Sequence, residues 1–131
     1  MTTIRVITAI ATMYTSAQHA GQPLFCGGTF ADTTAPWVAL PFEQYNDAWQ
    51  CGDLVVLSFV GADATEHVTL TARAMDTGPF GAHCVVRGNR CVPIVADVPE
   101  PHWPTSLDGD ISAAVRVVNV TAACREWGYC D

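Results

Sequence analysis

The sequence predicts a small all-β fold, a barrel or sandwich of about six strands. Apolar stretches of strand length recur at short spacing, and proline and glycine punctuate them. Almost nothing in the chain reads as helix. The third observation is six cysteines in 131 residues, an even number and a high one, which reads as disulfide staples rather than metal ligands.

Taken in order, Ile4, Val6 and Ile10, with Thr and Ala between them, make a first strand that runs on to Tyr14. Residues 15–28 are polar and turn-rich and end in Cys26-Gly27-Gly28. Trp37-Val38-Ala39-Leu40 is a short apolar strand bounded by Pro36 and Pro41, and residues 42–50 make one helical turn or a loop. The run Leu54 to Val60 reads as a strand buried on both faces. After a turn at Gly61-Ala62-Asp63, Val68-Thr69-Leu70-Thr71-Ala72 alternates as a half-buried strand should. It leads to Asp76 and the Gly78-Pro79 turn.

Pro93 to Pro99 is extended, and Pro99, Pro101 and Pro104 forbid a long helix there. Ala113 to Val120 is the final strand, and the tail is a disulfide-tied coil or short helix. One domain over residues 1–131 is expected, with no repeat, linker or low-complexity segment.

Half the residues are hydrophobic and 15% are charged, which excludes a disordered chain. A net charge of −7 with six Lys and Arg argues against nucleic acid and against an anionic membrane surface. A neutral or cationic partner is easier to accommodate. No run reaches the length of a transmembrane helix, and a monomer is expected. The spacing of glycines and histidines offers no cofactor or metal site.

Cys84 and Cys91 flank a hairpin turning at Gly88-Asn89, and Cys124 and Cys130 close a short loop, which leaves Cys26 with Cys51. Each bridge contributes about 2–4 kcal/mol. The cysteines imply an oxidising location, although Met1-Thr-Thr-Ile-Arg shows no Sec-type signal. An extracellular, periplasmic or virion-associated protein reconciles the two.

Asp76, at the mouth of a strand before a rigid turn, is placed as a catalytic carboxylate would be. The alternative is that it caps the turn through its own downstream backbone. Glu43, Asp47 and Asp53 read as a solvated acidic face, Trp37 as core, and Trp49 and Trp103 as the lining of a groove.

Several segments then stand in a recognisable order. They are Ala11-Thr-Met-Tyr14, Cys26-Gly27-Gly28-Thr29-Phe30-Ala31-Asp32, Val38-Ala39-Leu40-Pro41 and Cys51-Gly52-Asp53. Asp76-Thr77-Gly78-Pro79-Phe80, Ala96-Asp97-Val98-Pro99 and the strand from Val115 to Val120 complete the series. The series resembles the double-psi β-barrel of the rare lipoprotein A type. Its two Cys-Gly pairs are similar to those of expansins and barwin-like proteins, where the cysteines bridge. The likeness covers residues 9–121, with residues 122–131 as a tail.

That resemblance implies a six-stranded double-psi β-barrel with short helical turns, stapled by disulfides, acting on cell-wall polysaccharide. Rare lipoprotein A proteins are lytic transglycosylases that cleave peptidoglycan strands without water. Asp76 matches the catalytic acid and Asp32 the earlier acidic position; Tyr14, Trp49, Phe80 and Trp103 would contact substrate. The family's His before Leu-Pro has no counterpart, and Thr77 replaces its Arg; His83 or His102 can stand in for the missing His. A non-catalytic expansin-like or barwin-like binding module and a structural virion or surface protein are the alternatives.

Overall fold

A computed structural model describes residues 6–14, 22–28, 35–60, 67–78, 84–87, 89–104 and 112–128. Seven strands form one sheet: β1 (Val6–Tyr14), β2 (Trp37–Pro41), β3 (Leu54–Val60), β4 (His67–Gly78), β5 (Cys84–Arg87), β6 (Arg90–Pro99) and β7 (Ser112–Asn119). Helix α1 (Val120–Trp127) follows β7, and two single 3-10 turns, Phe42–Gln44 and Glu100–His102, are the only other helical pieces among the described residues. The all-β expectation holds. No helix among the described residues is long and apolar enough to cross a membrane.

The strand order is β1-β7-β3-β4-β2-β6-β5, and β1 also pairs with β6. Six strands therefore close into a ring, with β5 added outside as the hairpin partner of β6. Four seams of the ring are antiparallel; β1–β6 and β2–β4 are parallel. Counting only the ring strands in chain order, a shift of three strands maps the ring onto itself and one parallel seam onto the other. The two halves of the barrel thus have the same topology.

A six-stranded ring encloses little space, so its lining must mix small and large side chains. Ala11, Ala72, Ala74, Ala96 and Ala113 are buried in the core beside Val55, Leu57 and Phe59. Along β3 those last three are fully buried and alternate with half-buried Leu54, Val56, Ser58 and Val60. The strand is thus sealed on one face only, not on both as expected, because its second face is the outside of a barrel rather than the middle of a sandwich.

Cys26–Cys51 and Cys84–Cys91 are bridged, with Cα atoms 5.5 and 5.4 Å apart. In the hairpin Arg87 pairs with Arg90 across the predicted turn, and Cys84 lies diagonal to Cys91. Cys124 is also disulfide-bonded; its predicted partner Cys130 lies outside the described residues. Bridges of this kind form and persist most readily under oxidising conditions.

Asp53 corrects the reading of a solvated acidic face. It is 2% exposed, and its carboxylate receives Arg125 Nη1–H and Nη2–H at 2.7 and 2.9 Å. The side-chain amide of Asn119 and the Gln50 N–H donate to it as well, each at 2.9 Å. Asn119 also caps α1, its Oδ1 accepting the Ala122 N–H at 2.9 Å. Burial opposes the Asp53 charge, but the hydrogen bonds from Arg125, Asn119 and Gln50 outweigh it and hold the carboxyl below its ordinary 3.8.

This ion pair stabilises the fold fully above the ordinary Asp range and progressively less as pH falls through it. Urea midpoints of the parent should therefore drop below about pH 4, and Asp53→Asn should flatten that part of the profile. Arg125→Ala should destabilise by about 2 kcal/mol at neutral pH, less than a fully buried pair, because the Arg125 side chain is 40% exposed.

Candidate functional site

β2 and β4 run parallel, with Val38 opposite Ala74 and Ala39 opposite Asp76, so Met75 is an extra residue on β4. A bulge of this kind re-aims the side chains that follow it. The β1–β6 seam carries a similar shift, from Ile10 opposite Ile94 to Ala11 opposite Ala96, and Asp97 follows opposite Thr12. Ala39 pairs with Asp97 on its other side. One transverse row therefore reads Asp76, Ala39, Asp97, Thr12 across four strands.

Residues paired in a ladder share a face of the sheet. Ala39 alternates with Val38 and Leu40, which belong to the barrel core, so the row lies on the other face of the sheet; Ala39 itself is 1% exposed there, and Asp76 and Asp97 are half-buried. Asp76 and Asp97 sit two strand spacings apart, about 9–10 Å between Cα atoms, on either side of Ala39. Thr12 Oγ1 donates to Asp97 Oδ1 at 3.0 Å.

Asp76 is half-buried and lies within β4, two residues before its end. Its Oδ1 accepts the Phe25 N–H at 3.0 Å, from a segment 51 residues away, so it latches a distant loop. The same loop is held by Cys26 N–H to Met75 O at 2.9 Å, by the Cys26–Cys51 bridge, and by Leu24 packed with Trp37 and Met75. Gly27 and Gly52, each directly after a bridging cysteine, take φ of 104° and 86°. Only glycine adopts that backbone readily, which is why each cysteine is followed by one.

Phe25 and Phe42 are 46% and 55% exposed. Their rings meet edge to face at 6.0 Å, and Phe25 meets Tyr45 edge to face at 4.9 Å. Phe42, Glu43, Thr77 and Gly78 line an open cleft of about 390 Å³ immediately beyond Asp76. Thr77 Oγ1 donates to Leu40 O at 2.7 Å and ties the cleft wall to β2.

Two expected substrate contacts are instead core. Trp49 is 2% exposed, with its indole N–H on Pro41 O at 2.8 Å, and Trp103 is 7% exposed against Phe59 at 5.4 Å. They sit near opposite ends of β3, Trp49 beside Val55 and Trp103 beside Phe59. Both belong to the hydrophobic core cluster, where large aromatic side chains bury much apolar area. Trp37, read as core, is 1% exposed.

Asp32, Phe80 and His83 lie outside the described residues, as does the side chain of Tyr14, whose backbone pairs with Pro99. His102, half-buried in the turn after β6, has its pKa lowered by burial. Phe25, Phe42 and Asp97 were not singled out as site residues in the sequence. Asp97 carried a signal there, as a lone acid inside an apolar strand. The two phenylalanines carried none, since nothing local marks them as exposed.

Trp49→Ala should lower stability by about 3–5 kcal/mol, read as a shift of the denaturant midpoint. A glycan-binding defect in folded protein, without that shift, would restore the groove assignment. No protein-family model matches the chain, and no curated protein does.

Proposed function

We propose that this protein cleaves cell-wall glycan strands as a lytic transglycosylase, outside the cytoplasm or in a virion, with Asp76 as general acid and base. The observation that carries the reading is the row of half-buried Asp76 and Asp97 flanking Ala39, with an open cleft lined by exposed Phe42 and by Glu43, Thr77 and Gly78 directly after Asp76. The closed ring with two matching parallel seams supports the double-psi barrel on which the reading rests.

In this reaction the Asp76 carboxyl gives its proton to the glycosidic oxygen as the bond from C1 breaks. The sugar's own 6-hydroxyl attacks C1 and returns its proton to the Asp76 carboxylate, so no water is consumed. Asp97, oriented by Thr12, supplies negative charge near the oxocarbenium-like centre. Asp32 is the further acidic candidate.

The Phe25 N–H on Asp76 favours a second reading, in which the carboxylate latches the loop and the protein is a non-catalytic binding module. Incubation with purified peptidoglycan strands and mass spectrometry of the products separates the two. Anhydro-ended fragments from the parent, reduced at least about 100-fold in Asp76→Asn, are expected. Reducing-end products would point to water activated across the carboxylate gap. Retention on insoluble glycan with no products, unchanged in Asp76→Asn, would establish the binding module.

A further inference from the structure

The exposed aromatic cluster needs its own explanation. Phe25 and Phe42 are among the few large hydrophobic side chains left exposed among the described residues, and they touch each other. Tyr45 joins them and is backed by Trp49 at 5.0 Å, so the cluster is a surface extension of the barrel core. The loop bearing Phe25 is fixed by the Cys26–Cys51 bridge, the Cys26–Met75 hydrogen bond and the contact with Asp76. These rings are pre-positioned, so little conformational entropy is lost when a partner covers them.

We propose that Phe25, Phe42 and Tyr45 form a stacking subsite for one pyranose ring of a glycan that bears no anionic group at that sugar. Three observations select this occupant. Phe25 and Phe42 keep about half their surface exposed despite their edge-to-face contacts, and an apolar sugar face covers such a surface as other flat apolar groups do. The cleft next to the rings is walled by Glu43 and Thr77, whose polar side chains can accept hydrogen bonds from sugar hydroxyls. Glu43, Asp76 and Asp97 lie on or beside the path, and the chain carries −7 overall, so an anionic sugar meets repulsion while a neutral or amino sugar does not. The subsite deepens the glycan reading above and rests on it, since it positions a chain one residue or more away from the Asp76–Asp97 row.

The test is titration calorimetry with hexamers of N-acetylglucosamine, glucosamine and galacturonic acid. The proteins are the full chain carrying Asp76→Asn, to prevent turnover, and the same chain with Phe42→Ala, Phe42→Tyr or Val86→Ala added. The neutral and amino-sugar hexamers should bind, and galacturonate should bind at least about tenfold more weakly, with the gap narrowing in high salt. Phe42→Ala should weaken the neutral hexamer about tenfold or more, and Phe42→Tyr should restore it. Val86→Ala, at a still more exposed apolar residue on the hairpin, should change nothing.

Equal binding by Phe42→Ala, preference for galacturonate, or no binding of any hexamer overturns the subsite. So does a Phe42-dependent dimer in sedimentation, which would make the cluster an interface between copies. Each result is independent of the cleavage assay. Products formed despite Phe42-independent binding leave the catalytic reading standing without the subsite, and Phe42-dependent binding without products does the reverse.

Discussion

Closure of the sheet by the β1–β6 seam is the constraint on which the rest of the molecule depends. It removes the two edges that six strands in an open sheet would expose. It also divides every ring strand into an inner and an outer set with no freedom to slip, because a shift of one residue would turn the core outward. The inner set must then fill a narrow lumen, which accounts for five buried alanines around Phe59. Trp49 and Trp103 pack into the core toward the two ends of β3, and the Trp103 indole N–H finds no hydrogen-bond partner among the described residues.

The same division creates the candidate site. Val38, Leu40, Ala74 and Ala96 are committed to the core, Ala39 and Asp97 alternate with them onto the other face, and the extra residue Met75 carries Asp76 onto that face as well, so the two acids fall in one row. Keeping both carboxylates out of the core avoids burying two like charges there. The site is a consequence of topology more than of any local motif.

One tripeptide links this site to the rest of the fold. Cys51 bridges to the loop carrying Phe25. The Gly52 N–H bonds Ala74 O, and the Ala74 N–H bonds Asp53 O, both at 2.8 Å. The Asp53 carboxylate anchors α1 through Arg125 and Asn119. Loop, strand and helix are thereby held by adjacent residues. That arrangement explains why Asp53 is buried: it joins elements, and its charge is tolerated because four donated hydrogen bonds meet it.

By itself the sequence determined the all-β class, the approximate strands, the β5–β6 hairpin and the bridges Cys26–Cys51 and Cys84–Cys91, and it put Asp76 forward as a candidate. Alternation, punctuation and cysteine spacing are local properties, and they are written in neighbouring residues. Helix α1 was only half legible, because Asn119 ends a strand pattern and caps a helix with the same side chain. Only the tertiary structure decided which aromatics are core and which are exposed, that Asp53 is an anchor, and that Asp97 stands across Ala39 from Asp76. Those outcomes depend on ring closure and register between strands far apart in the chain, and short-range pattern carries no information about either.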